Sequence, residues 1–189
     1  QSGDVAARGN FCTLDAQGNV VSMTHTNGGW SSGVVTPGLG FLYNNFMHRF
    51  SPRPGPPNSI APGKSRNSSL SPTIIFKEGK PFMAVGASGG FGIITGIVQT
   101  ILNVIDHGMT VIEAVSAPRI HAESKMVQVS ARIPSYVCEE LARKGHEVRK
   151  SLDSYVRFSG SVHALLIDWE QGRAQGGADP RQTGMALST

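Results

Sequence analysis

The sequence is poor in charge and in cysteine. Charged residues make up 16% of the 189 and aromatics 7%, against 39% hydrophobic. Low charge with that apolar content excludes an intrinsically disordered chain, and the length is enough for one domain with a sizeable core. No apolar run reaches the ~18 residues that a membrane-spanning helix needs. The most apolar stretch, Ile93 to Ile105, is broken by Thr95, Gly96, Gln99, Thr100 and Asn103, and reads as a buried helix. The two cysteines, Cys12 and Cys138, are far apart, which favours free buried thiols over a disulfide framework. No Cys/His spacing suits a metal, so neither metal nor cofactor is expected. Lysine and arginine do not interleave with aromatics, so the net charge of +4 reads as a mildly basic surface and names no nucleic-acid partner. The opening QSGDVAARGN has no signal-peptide core; in a processed precursor any signal lies on the other part, and the compartment stays open.

What is present is a succession of hairpins and helices. FCTLD and NVVSMTHT flank a turn at Ala16-Gln17-Gly18 and predict a hairpin over 11–26. A short strand, Gly40 to Tyr43, is expected after the turn at Pro37-Gly38. SPRPGPPNSIAPGKS (51–65) is a long Pro/Gly-rich loop of the kind that often carries function. A second hairpin is predicted over 73–87 around Glu78-Gly79-Lys80, leading into GASGGFG and a helix from near Phe91. Thr110-Val111-Ile112-Glu113 is a capping box that opens the next helix. A strand over 126–131, a helix from Pro134 to Lys144, and a last hairpin from SVHALLID (161–168) complete the pattern. Hairpins followed by packed helices predict an α+β layered fold with an antiparallel sheet. Without internal repeats or a boundary, residues 1–189 are expected to form a single domain.

Three segments could carry chemistry. Gly86-Ala87-Ser88-Gly89-Gly90 fits G-x-S-x-G between a strand and a helix. It reads either as a nucleophile elbow presenting Ser88 or as a glycine turn whose amides, at a helix N-terminus, stabilise an oxyanion. The elbow suits a parallel α/β sheet, whereas this strand belongs to an antiparallel hairpin. In Asn67-Ser68-Ser69-Leu70-Ser71-Pro72-Thr73, paired hydroxyls before a strand can hold a carboxylate. In Tyr43-Asn44-Asn45-Phe46-Met47-His48-Arg49-Phe50, Arg49 can present a guanidinium to an anion and His48 can act as a base. His25, His107, His121, His146 and His163 are scattered and receive no catalytic role.

Taken together, these segments resemble the small subunit of γ-glutamyltransferases. The resemblance runs from about Phe11 to Met185, through LDAQGNVVSMT, SGVVTPGLGFLYNN, SIAPGKSRNSSLSPTIIF, GKPFMAVGASGG, IITGIVQTILNVIDHGM, EAVSAPRIH and GGADPR. TPGLGFLYNN followed by PRPGPPNSIAPGK looks like a divergent bacterial branch. The resemblance implies an αββα sandwich of the N-terminal-nucleophile hydrolase type, shared by a large and a small subunit. It implies a self-cleaving precursor whose freed threonine attacks an amide carbonyl with its own α-amino group as base. The acyl group then passes to water or an amine. Residue by residue, Gly89 and Gly90 match the oxyanion-hole glycines, and Ser68 and Ser69 the serines that bind the donor's α-carboxylate. Asn27 resembles the asparagine that helps bind the donor, and Thr26 the threonine that supports the nucleophile. Phe46 and Ser88 join the substrate-binding set; under this reading Ser88 is no nucleophile and stands where the family usually has proline.

Two departures follow. Where the resemblance implies an acidic residue holding the donor's α-ammonium, this chain has Arg49. Two unit charges at about 4 Å interact by roughly 4 kcal/mol at an effective dielectric near 20, so the inversion disfavours an ammonium and favours a carboxylate. Counting back from Asp15 puts Arg8, then Gly9 and Asn10, where the resemblance implies Thr-Thr-His. Aligning Ser2-Gly3-Asp4 with the pre-cleavage residues puts Val5 there instead. Neither Arg nor Val can attack a carbonyl. Cys12 and Thr13 lie inside the first strand without a free α-amino base, and Ser2 requires loss of Gln1. The expected function is a γ-glutamyltransferase-like amide hydrolase or acyltransferase subunit, acting on a small carboxylate-bearing donor that is not a free α-amino γ-glutamyl group. Two alternatives stay open: a catalytically degenerate paralogue that binds or scaffolds, and a serine hydrolase using Ser88. The expected partner is a large subunit of the same precursor or gene pair, with a heterotetramer as one possible assembly. Gly89, Ser69 and Arg49 are expected to share one anion-binding cleft.

Overall fold

The computed structural model describes residues 8–29 and 31–188. The alternative placements of the nucleophile at Ser2 and Val5 lie outside these residues. Two compact units emerge: one holds His25–Ser69, the other Asn10–Thr24 and the chain from Leu70 onward.

The second unit is built on a four-stranded sheet. β3 (Thr73–Lys77), β4 (Lys80–Ser88), β8 (Ser161–Asp168) and β9 (Arg173–Ala178) lie side by side in that order, all antiparallel. Alternation along a strand gives the sheet two different faces. Met83, Val85, Ala87, Val162 and Ala164 form one face and pack on α1 (Gly92–Ile105) and α2 (Val111–Ser116), with Ile93, Ile97, Val104, Val111, Ala114 and Val115 opposite them. Burying each such Val or Ile contributes about 1.5–3 kcal/mol. Helix α1 and the segment that leads into β8 meet at backbone distance. A Cβ at Gly92 would lie 1.9 Å from the Phe158 carbonyl oxygen, and one at Gly96 would lie 2.2 Å from that of Ser159. Ala84, Gly86, Ser88, Ser161 and His163 alternate onto the other face. There β1 (Arg8–Leu14) and β2 (Val20–Thr26) form a hairpin, and the Ser22 hydroxyl donates to the Val85 carbonyl at 3.0 Å.

β5 (Ile120–Glu123), β6 (Met126–Val129) and β7 (Glu147–Lys150) make a third, smaller sheet. β6 pairs antiparallel with β5 and parallel with β7, and α3 (Ser135–Arg143) is the crossover between the parallel pair. The architecture is α+β, as the sequence predicts, and both cysteines are free.

Three expectations change. The parallel pair departs from a wholly antiparallel arrangement. The strand at Gly40–Tyr43 is a single bridge, Val35 to Leu42, because Gly38 and Gly40 take left-handed conformations on either side of Leu39 and interrupt the extended run. The 93–105 helix buries only one side within this chain: Ile94, Val98, Leu102 and Ile105 remain 44–52% exposed. No described helix is long and apolar enough to cross a membrane.

Candidate active site

The G-x-S-x-G segment sits where β4 ends and α1 begins. β4 runs through Ser88, and the chain then turns at Gly89 (φ +130°) and Gly90 (φ +69°). A Cβ at Gly89 would stand 2.6 Å from the Gly160 Cα, so the turn presses directly on the backbone that enters β8. The backbone strain of a nucleophile elbow falls on its serine. Here the left-handed residues are the two glycines, and Ser88 is extended. Ser88 is 2% exposed, and its hydroxyl donates to Gln182 Oε1 at 2.6 Å. The turn feeds a 14-residue helix whose N-terminal dipole favours negative charge. This geometry matches the glycine-turn reading better than the elbow.

Behind the turn lies a buried charge cluster. Asp179 Oδ2 meets Arg119 Nη1 at 2.9 Å and accepts the Val162 backbone N–H at 2.9 Å. Asp179 Oδ1 accepts from the backbone and side chain of Arg181, each at 2.9 Å. Arg119 also donates to the carbonyls of Gly160 and Val115, and Arg181 to those of Val115 and Ala117. Burial lowers the Arg119 pKa to about 10, opposed by the Asp179 charge, so the guanidinium remains protonated at neutral pH. The motifs APRIH and GGADPR supply these residues, but nothing local in either shows that they meet.

Asn10, two residues after Arg8, carries its side chain over Gly86, where a Cβ would lie 2.0 Å from Asn10 Nδ2. That amide donates to the Met23 carbonyl and the Thr24 hydroxyl. Next along β1, the Cys12 thiol is turned to the Ser22 hydroxyl and the His163 carbonyl, and burial raises its pKa. Its environment opposes thiolate formation.

The other predicted residues belong to the His25–Ser69 unit. Thr26 ends β2, and its hydroxyl accepts the Gly28 N–H at 3.0 Å. The Asn27 carbonyl accepts the Asn45 N–H at 3.0 Å. Phe46–Arg49 is a 3-10 turn in which Asn44 Oδ1 accepts the Phe46 N–H and His48 Nδ1 lies 2.6 Å from the Asn45 carbonyl. The Arg49 carbonyl accepts from Asn58. The long loop folds on itself: Ser51 pairs with Asn58 and Ile60 through backbone bonds, and Lys64 Nζ donates to Ser59 Oγ at 2.7 Å.

An open cavity of about 460 Å³ is lined by Asn44, Phe46, Met47, Phe50, Ser65, Arg66 and Ser68. Arg66, which the motif reading passes over, places its guanidinium carbon 3.8 Å from the Phe46 ring centre. Of the predicted set, Phe46 and Ser68 line this cavity, whereas Thr26, Asn27, Arg49 and Ser69 do not. Ser88, Gly89 and Gly90 are in the other unit. No aspartate or glutamate occurs in the sequence between Asp15 and Glu78, while Arg49, Arg53, Lys64, Arg66 and Lys77 all do. Such a stretch repels cations and attracts carboxylates.

A gamma-glutamyltranspeptidase family model matches residues 9–189. The chain is 39% identical over 167 residues to the acylase ACY 1 proenzyme of Pseudomonas sp. strain V22, covering 88% of this chain and 29% of that protein. It is 36% identical over 180 residues to the glutathione hydrolase proenzyme of Bacillus subtilis strain 168, covering 94% of this chain and 30% of that one. It therefore spans just under a third of the curated relatives it matches. The crystal structure of the Helicobacter pylori gamma-glutamyltranspeptidase T380A mutant superposes with a TM-score of 0.80 at 35% identity, over 92% of this chain and 99% of that one.

Proposed function

Because this chain belongs to the gamma-glutamyltranspeptidase family, we propose that it forms the small-subunit part of an amide hydrolase or acyltransferase whose acyl donor carries a carboxylate and no free α-ammonium. The observation that carries the donor class is electrostatic. The segment that supplies Arg49, the Phe46/Arg66 cavity and Ser68–Ser69 contains no acidic residue to receive an ammonium. Ser68 and Ser69 hold a donor carboxylate, Arg49 takes the place of the acidic partner, and Thr26 and Asn27 support the site from the end of β2. The Gly89 and Gly90 amides stabilise the oxyanion that develops on the attacked carbonyl. The resemblance to an acylase beside a glutathione hydrolase suits a donor without the amine. The cavity's Phe46, Met47 and Phe50 suit a short methylene chain, and its Arg66 and Ser68 suit a terminal carboxylate. We further propose that residues 1–189 act as one domain, and that the remainder of a larger protein completes the αββα sandwich and covers the exposed Ile94/Val98/Leu102/Ile105 stripe.

The test compares glutaryl anilide with γ-glutamyl anilide on the full-length protein. A kcat/KM at least about tenfold higher for the glutaryl compound is expected, a difference of about 1.4 kcal/mol. The opposite preference overturns the donor assignment.

A second reading rests on one observation: Arg8, Gly9 and Asn10 hold no hydroxyl or thiol where the nucleophile is expected. A paralogue that binds the same donor without turning it over accounts for this. A rise in melting temperature with glutarate, with neither anilide cleaved, would establish it. Labelling of Ser88 by a fluorophosphonate would instead establish the serine-hydrolase alternative, against which its burial and its bond to Gln182 count.

A further inference from the structure

The turn that precedes α1 is held from two sides. On one side, the Ser88 hydroxyl reaches 94 residues along the sequence to donate to Gln182 Oε1 at 2.6 Å, with Ser88 almost wholly out of water. On the other, Gly160 lies against Gly89: a Cβ built on Gly89 would be 2.6 Å from the Gly160 Cα, and one built on Gly160 (φ +71°) would be 3.0 Å from the Ser88 carbonyl oxygen. Both contacts lead to the same anchor. The Gln182 N–H donates to the Asp179 carbonyl at 3.2 Å. The Gly160 carbonyl accepts from Arg119 Nη1, which also meets the Asp179 carboxylate. The carboxylate also fixes the Val162 N–H, in the residue next to Ser161, the direct cross-strand partner of Ser88.

We infer that Ser88 and Gln182 form a clasp, mounted on the buried Arg119–Asp179–Arg181 cluster, that sets the direction of the Gly89 and Gly90 amides; both are positioning residues for the acyl step. The inference rests on the oxyanion role proposed above. Its chemistry is simple. A hydroxyl one residue before two glycines is the last side chain able to hold a segment that otherwise has the conformational freedom of glycine. An oxyanion hole works only when its donors are fixed before charge develops. Gln182 supplies a neutral acceptor, so the clasp adds no negative charge beside the anion it serves.

The experiment uses the full-length protein and two readouts. Hydrogen exchange at the Gly89 and Gly90 amides is measured by NMR in wild type, Ser88→Ala, Gln182→Leu, the double variant and Gln182→Glu. Each of Ser88→Ala and Gln182→Leu should speed exchange about tenfold, and the double variant no further, because both remove the same bond. Gln182→Glu, which keeps an acceptor oxygen, should stay within about twofold of wild type. Amides of Val85 and Ile97 should not change, which separates a local effect from general unfolding. The second readout is glutaryl anilide hydrolysis, in which the uncoupled variants should lose kcat about tenfold with KM unchanged. Unaltered Gly89 and Gly90 exchange in both single variants overturns the clasp. Altered exchange with no turnover even in wild type leaves the clasp standing and overturns the hydrolase reading.

Discussion

Arg119 and Asp179 meet at 2.9 Å with side-chain exposures of 1% and 0%, and between them hold the backbone of Gly160 and Val162. Such a pair contributes little when both partners are present and costs heavily when one is removed, because an uncompensated charge is then buried. Asp179→Asn in the full-length protein should lower stability by about 3–5 kcal/mol, read as a fall in the urea midpoint with an unchanged slope. Replacing all three, Arg119→Met, Asp179→Leu and Arg181→Met, should recover part of that loss, because no buried charge is then left without its partner. Equal damage from the single and triple variants would show that the cluster's hydrogen bonds to the backbone matter more than its charge.

Under the proposed donor assignment, Arg49 takes the place of the acidic partner and donor choice should turn on it. Arg49→Asp should move the preference from glutaryl anilide toward γ-glutamyl anilide by about 10- to 100-fold in the ratio of kcat/KM, equivalent to roughly 1.4–2.7 kcal/mol. The Coulomb estimate sets an upper limit, since Arg49 is only half-buried. A ratio that does not move would assign donor selection to Arg66 and the cavity alone.

Much of the framework was legible in the sequence because its signals are local. The Thr110–Glu113 capping box forms as written, with each side chain bonded to the other residue's backbone N–H. The Ser161–Asp168 strand appears with the predicted bounds, since its alternation is set by a core on one side. What escaped was non-local. β7 reads Glu-Val-Arg-Lys, with one apolar residue in four, and exists because β6 pairs with it in parallel across a helix. Gln182 lies in no motif and Arg66 in one that assigns it no role; their contacts are a bond spanning 94 residues in one case and stacking on Phe46 in the other. Asp179 lay in a motif, but its two arginine partners became visible only with the fold.

The capping box gives a pH-dependent prediction. The Thr110 hydroxyl and N–H hold the Glu113 pKa below its ordinary value of 4.5. A carboxylate whose folded pKa is depressed stabilises the fold fully above its unfolded pKa and loses that contribution as pH falls through the folded value. Melting temperatures of wild type and Glu113→Gln should therefore differ at pH 7 and converge as pH falls through the depressed folded value of Glu113. Thr110→Ala should cost about 1 kcal/mol at neutral pH.

Cys12 provides a chemical check on the first strand. Burial raises its pKa, so its thiolate fraction at pH 8 is below that of an ordinary thiol. Iodoacetamide followed by mass spectrometry should find Cys12 in the folded protein alkylated more slowly than the same residue in urea by at least about tenfold. Rapid alkylation at neutral pH would mark an activated thiol and reopen the search for the nucleophile at this position.

Gly92 and Gly96 put the first two turns of α1 in direct backbone contact with Phe158 and Ser159, leaving no space for even a methyl group. Anyone diversifying this protein by random mutagenesis to alter its selectivity will find those two sites unyielding although neither touches a substrate. Productive libraries belong instead at the cavity-lining positions Asn44, Met47 and Ser65, whose side chains are exposed.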